Sequence, residues 1–260
     1  MCFRFLSLLL FAAGCYGADA AGTLRVCADP HDLPFSNEAG QGLENKLAQL
    51  VASKLGVTVQ YTWWNQRKAF IKNSLDQGKC DVLMGVPSTL DSVAVTRPYY
   101  RSSYVFVSRR DRNLQVTSLI DPRLSEWRIG INVVGDDYAP PAFALARQGI
   151  TKNIVGFSLL GGEGETDSSR KIIDAVDRGD IDVAIVWGPV AGYFAKASKC
   201  PLSIEPVSPA AFLGVPFTFD MSIGVRKGDD ALRATLDNII RTDSAAIEQV
   251  LSQFGVPRVH

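Results

Sequence analysis

Histidine is nearly missing from this chain: His31 and His260 are the only two in 260 residues. A Ser-His-Asp relay or a zinc spacing needs more than one loop histidine and one terminal histidine. A phosphate loop is missing too, because the glycines of GGEGE at 161–165 are not followed by Lys-Ser or Lys-Thr. The common hydrolytic and nucleotide-binding chemistries are set aside, and no enzyme activity is expected. Net charge is also lacking. The 27 Lys and Arg balance 27 Asp and Glu with no basic run, so the overall field offers nothing to nucleic acid or anionic lipid.

Long apolar runs are confined to the N-terminus. Arg4, the apolar stretch from Phe5 to Ala13 and the small residues Ala18 and Ala20 have the layout of a secretory signal cleaved near Ala20. That stretch is too short for a permanent span, and no later segment is apolar for long enough, so no transmembrane segment is expected after signal removal. Residues 1–20 read as a signal peptide and the mature chain as periplasmic. AAGC, ending at Cys15, offers lipid anchoring as the lesser alternative.

Export changes how the remaining cysteines read. Cys27 lies in the apolar run LRVCA and Cys80 opens CDVLMGV, two segments expected to be neighbouring strands. They are either a disulfide or two buried thiols packing as small hydrophobes. Cys200 has no evident partner.

What is present is a strand–helix alternation. LRVCAD, the helix GLENKLAQLVASKLG with Leu43, Leu47, Leu50, Val51 and Leu55 at helical spacing, VTVQYTWW, RKAFIKNSLDQG, DVLMGV and SYVFVS form a first set. A second set follows with WRIGI, DDYAPPAFALARQG, NIVGFS, SSRKIIDAVDRG, DVAIVW and GPVAGYFAKAS. The strand FTFDMSIGVRKGD and helices near 229–241 and 244–254 close the chain. Such alternation predicts parallel sheets covered on both faces. GINVVGDDYAPP, at 130–141, reads as a strand turning into a helix that opens at Asp136. Such a corner usually attracts anions, yet here it carries Asp136 and Asp137, of which one is accounted for as a helix cap.

The two sets echo one another: SLDQGKCDVLMGV parallels AVDRGDIDVAIVW. That GxxDV pairing, with LRVCADPHDLPFS, GLENKLAQLVASKLG and TRPYY, resembles the periplasmic solute-binding proteins of family 3, the amino-acid binders, from about Thr23 to Val256. The resemblance implies an α/β chain of the periplasmic binding protein type II fold, with two lobes, an interlobe cleft and two crossover strands near 108–113 and 207–212. Lobe 1 would comprise 22–109 plus 213–260, and lobe 2 would comprise 110–212. Ligands of α/β sheets sit at the carboxyl ends of strands. The expected cleft lining is therefore Asp29, Phe35, Trp64, Pro87, Ser88, Asp136, Asp137 and Trp187.

The amino-acid anchors of that family are replaced at all three positions. Asp91 and Ser92 stand where an arginine would fork the ligand carboxylate. Gly135-Asp136-Asp137 replaces Gly-x-Thr, and Trp187-Gly188-Pro189 replaces the acidic residue that would receive an ammonium. A narrower branch matches better. LRVCADPHDLPFSNEAGQGLENKLA, YTWWNQR, GKCDVLMGVP, TRPYYRSSYVFV and IDVAIVWGPVAGYFA resemble the XoxJ- and MxaJ-like proteins associated with quinoprotein alcohol dehydrogenases.

This resemblance implies a non-catalytic accessory protein, without a cofactor of its own, that binds or helps activate a dehydrogenase using pyrroloquinoline quinone. Trp63, Trp64, Tyr99 and Tyr100 would be rim anchors for that partner. Asp29, Asp136, Asp137, Glu163 and Glu165 would be the oxygen donors of any hard-cation site, although acidic residues more often simply face water. The alternatives are a transport receptor for a small polar solute and, more remotely, a cyclohexadienyl dehydratase-like enzyme.

Overall fold

The computed structural model describes residues 22–65, 69–134, 137–159 and 168–259. The first set of elements comprises strand β1 (Thr23–Ala28), the small hairpin β2 (His31–Asp32) and β3 (Ser36–Asn37), helix α1 (Leu43–Leu55), β4 (Thr58–Trp63), α2 (Phe70–Asn73), β5 (Val82–Pro87), β6 (Ala94–Val95) and β7 (Tyr100–Arg109). The second comprises β8 (Ile129–Val134), β9 (Asp137–Tyr138), α3 (Pro140–Arg147), β10 (Ile154–Ser158), α4 (Arg170–Arg178), β11 (Val183–Trp187), α5 (Gly188–Phe194) and β12 (Leu202–Pro206). A hairpin, β13 (Ala211–Phe212) and β14 (Val215–Pro216), leads into β15 (Thr218–Val225), α6 (Asp230–Thr242) and α7 (Ser244–Gln253). No helix among the described residues is long and apolar enough to cross a membrane.

Helix α1 forms because Leu43, Leu47, Ala48, Val51 and Ala52 bury one face against the first sheet, each large side chain contributing about 2 kcal/mol. It stops at Gly56, whose φ of 69° lets its N–H reach back to the Ala52 and Ser53 carbonyls. Helix α4 ends the same way at Gly179.

The repeated GxxD is a clamp built once in each half. In the first, Gly78 O accepts from Arg25 Nη1 at 2.7 Å, and Asp81 accepts from the Arg25 backbone N–H at 3.1 Å and from its guanidinium. In the second, Gly179 O accepts from Arg128 Nη2 at 2.7 Å, and Asp182 accepts from the Arg128 backbone N–H at 2.9 Å. A second arginine reinforces each: Arg226 for Asp81 at 3.4 Å and Arg112 for Asp182 at 3.1 Å. The clamp fastens the helix end and the start of a strand to the neighbouring strand's first turn.

The sheet is mixed rather than parallel. Its order is β10-β8-β11-β7-β15-β5-β1-β4, with β7, β12 and β15 running antiparallel to their neighbours. Of these, β7 and β15 carry the chain between halves. In β7, residues 100–103 pair with β15 and residues from Tyr104 onward pair with β11. The Tyr104 backbone N–H donates to Phe217 O at 2.8 Å, and Phe217 is fully buried in the second core. The change of strand partner falls at 103–104 in β7 and at 217–218 where β15 begins. The reason is that YVFVS continues the strand without a break, while Phe212 and Val215 pack the intervening hairpin onto the second half.

Cys27 and Cys80 are joined in a disulfide, their Cα atoms 5.4 Å apart, inside a cluster with Leu75, Leu83, Val86 and Val93. Of the two readings left open, the bridge holds. Cys200 is a free thiol, partly buried.

Candidate functional site

Where β1, β4 and β5 end and β7 begins, lobe 1 gathers acids and tyrosines. Asp29 follows β1 and accepts from the His31 N–H at 2.9 Å. The loop then turns through Leu33 and Phe35, which pack against the core of the second half, formed by Ile172, Ile173, Val190 and Phe194. The lobes therefore touch through this loop. Asn45, fully buried in α1, fixes it from behind: its Oδ1 accepts from Gly42 and Asn37 N–H groups at 3.0 Å each.

Next to Asn45, Glu44 is only 8% exposed. Its N–H donates to Phe35 O at 2.8 Å, and among the described residues its carboxyl makes no hydrogen bond or ion pair. Its carboxyl lies against Gly85, where an added Cβ would come within 2.1 Å of Glu44 Oε1. Gly85 has φ of 65°, and the register of β5 with β15 slips between Ser222 and Gly224, opposite this point. Bulges of this kind re-aim a strand beside a site. Burial, then the nearby Asp32 and Asp29, pushes the Glu44 carboxyl well above the usual range; burial and Asp29 do the same to Asp32. Neither Glu44 nor Asp32 was singled out in the sequence. An acid in a helix's first turn ordinarily signals only a favourable dipole contact.

Three tyrosines surround these acids. Tyr61 donates to Asn45 O at 3.3 Å and stacks on Trp63, with centroids 4.6 Å apart. Tyr100 is 7% exposed. The Tyr99 hydroxyl is closed from solvent beside the Gly85 backbone yet makes no hydrogen bond of ordinary geometry. Burial, with the Glu44 charge nearby, raises both phenols. Of the two tyrosines expected at the rim, Tyr100 enters β7 in the first core and Tyr99, half-buried, packs against that core.

The other expected cleft residues divide. Trp64 is 41% exposed, with Lys79 Nζ 4.7 Å from its ring centre. Pro87 closes β5, and Ser88 is engaged in joining strands, donating to Asp220 O at 3.0 Å and lying 2.7 Å from Ser222 Oγ. Trp187, at the end of β11, meets Tyr104 and Phe219 edge-on at 5.6 and 5.8 Å. This aromatic knot spans the lobe junction, and burial pushes the Tyr104 phenol up to about 12.

At the opposite corner the helix does not open at Asp136. Helix α3 starts at Pro140, with Ala139 as its N-cap and no side-chain cap, and Asp137 sits in β9 paired with Val134. Pro140 and Pro141 set the start because proline fits the first helical turn. Asp136, the Asp137 side chain, Glu163 and Glu165 lie outside the described residues. Among the described residues no three His, Cys, Asp or Glu side chains are grouped to hold a metal ion.

Comparison with known proteins places this geometry in context. The family model for bacterial extracellular solute-binding proteins, family 3, matches residues 24–249. Protein MoxJ of Methylorubrum extorquens is 31% identical over 250 residues, covering 91% of this chain and 82% of that protein. The crystal structure of periplasmic binding protein XoxJ from Methylobacterium extorquens AM1 matches at 34% identity with a TM-score of 0.75, covering 91% of this chain and 99% of that one. MxaJ from Methlophaga aminisulfidivorans MPT matches at 25% identity and a TM-score of 0.78, with 91% and 100% covered.

Proposed function

The chain belongs to the bacterial extracellular solute-binding proteins of family 3, with the type II periplasmic binding fold, and from that premise we propose a periplasmic, non-catalytic accessory protein that binds or helps activate a quinoprotein alcohol dehydrogenase. The observation that carries the reading is the likeness to MoxJ along 91% of the chain. It is consistent with an accessory role in methanol oxidation. In this reading residues 1–20 are a signal peptide, the lobes are 22–109 plus 213–260 and 110–212, and Trp63 and Trp64, with Tyr99 and Tyr100 behind them, lie on the partner's side of the first lobe.

The site supports the same reading. Asp91 and Ser92 are exposed and supply no cation for a ligand carboxylate, and Trp187 occupies the ammonium acceptor's place within an aromatic knot. A receptor for free amino acids needs both anchors. Thermal melting with each of the twenty standard amino acids at millimolar concentration is expected to leave the midpoint unchanged. A rise above about 5 °C, on the order of 1–2 kcal/mol for a chain of this size, would favour the transport receptor instead.

A further inference from the structure

Where the loop carrying Leu33 crosses onto the second core, a cavity of about 300 Å³ remains, at the small end of the range that holds ligands. Leu33 walls it from the first half, together with Gln253 at the end of α7. Arg170 at the start of α4, Tyr193 and Phe194 at the end of α5, and Lys196 just beyond wall it from the second. Asp29, Phe35, Trp64, Ser88 and Trp187 do not line it. The apolar walls are fixed: Tyr193 packs against both cores and stacks on Phe254 with centroids 5.6 Å apart, and Phe194 is 5% exposed. Next to them α5 meets the chain after α7 backbone to backbone, since Gly192 leaves no room for a Cβ against Gly255 O. The charge of the lining is one-sided. Arg170 meets Asp174 through Nε, at 3.3 Å, and Lys196 Nζ donates to Gln253 O. Among the described residues these contacts take one side of the guanidinium and one of three ammonium hydrogens, and no acidic side chain lines the cavity.

We propose that this cavity binds a small organic acid, Arg170 and Lys196 holding its carboxylate while Leu33, Tyr193 and Phe194 enclose an apolar body no larger than a phenyl ring. Two like charges on one cavity repel each other and favour an anion between them, and a guanidinium with an ammonium gives charge-assisted bonds to both carboxylate oxygens. The apolar walls favour an organic body over inorganic phosphate or sulfate, which would leave polar oxygens against carbon. A free amino acid fits poorly because its ammonium would approach two cations. The site goes beyond the accessory reading and does not depend on it. Because its walls come from both halves, the ligand acts as an effector that holds the Leu33 loop and the end of α7 against α4 and α5, stabilising that arrangement by binding linkage.

Calorimetric titration of the mature chain with phenylacetate, phenylacetamide and phenethylamine tests this without any dehydrogenase. Phenylacetate should bind saturably, the neutral amide at least about tenfold more weakly, and the amine not at all. Arg170→Gln and Lys196→Gln should each weaken phenylacetate by about tenfold, with melting curves showing that both variants fold. Arg170→Gln removes only a half-exposed side chain and keeps the test open should Lys196→Gln loosen the end of α7. With phenylacetate bound, hydrogen exchange should slow in 33–35 and 253–256 of the first half together with 170–173 and 193–197 of the second. The proposal is overturned if phenylacetate does not saturate, if the amide binds as well, if Arg170→Gln keeps wild-type affinity, or if the protection falls at Ser88 and Trp187 instead. Failure of dehydrogenase binding would leave these results untouched.

Discussion

The two halves carry the same clamp, Arg25–Asp81–Gly78 in one and Arg128–Asp182–Gly179 in the other, yet they are not equivalent. The first adds a disulfide tying β1 to the segment that leads into β5, and a buried acid beside a bulge. The described part of the second is an apolar core with neither. The shared clamp is how each lobe fastens its sheet, and the features peculiar to one lobe are where function departs from a common plan. Asp81 and Asp182 therefore report on architecture.

The largest asymmetry to break is the disulfide. Closing a loop between residues 53 apart restrains the unfolded chain by about 4 kcal/mol in the chain-entropy model. Replacing Cys27 and Cys80 with alanine should lower unfolding free energy by up to that amount in denaturant titration. Hydrogen exchange should quicken first in β1 and β5, leaving β8 and β11 comparatively protected; uniform acceleration would mean the lobes share one cooperative unit.

Removing the clamps sharpens the comparison. Asp81→Asn should cost about 2 kcal/mol, since the carboxyl is 18% exposed between two arginines, and Asp182→Asn about 1 kcal/mol because its arginines are half exposed. Burial pushes the Asp81 carboxyl up, but the Arg25 guanidinium and backbone N–H, with Arg226, outweigh this and hold it below the usual range. A depressed folded-state value stabilises above the unfolded value near pH 4 and is lost as pH falls below it. Wild type should thus lose stability on acidification below about pH 4 more steeply than Asp81→Asn; parallel acid limbs would show that the ion pair contributes nothing.

The smallest effect is expected at Asp137. Its backbone, in β9, pairs with Val134 of β8 and α3 begins at Pro140, so Asp137→Asn should change stability by no more than about 0.5 kcal/mol. A loss above 1 kcal/mol in the melting or denaturant curve would restore a capping role, that being the usual worth of a cap.

Much of this frame was legible in the sequence because it rests on local pattern. Helical spacing in 43–55, β-branched strands and the GxxDV echo each translate into an observed element, and the cysteines were placed on strands that do adjoin. What escaped depends on long-range pairing. The antiparallel return of β12 and β15 leaves no local mark, nor does the change of partner inside β7. The double proline outweighed the two aspartates as a helix start. Glu44, Asn45, Tyr99 and Tyr100 were misjudged or missed because amphipathic spacing counts apolar residues, and a polar group on the inner face reads as solvent-facing until the bulge opposite it is seen.

The central claim is that the chain serves a partner enzyme rather than a free solute. Titrating the mature protein against a purified quinoprotein alcohol dehydrogenase, with binding and turnover read together, tests it most directly. The account predicts a saturable complex that weakens with added salt, as charge-guided contacts do, and a rise in dehydrogenase turnover or in the fraction of active enzyme. No saturation at about 100 μM, a binding energy weaker than about 5.5 kcal/mol, together with unchanged turnover would contradict it.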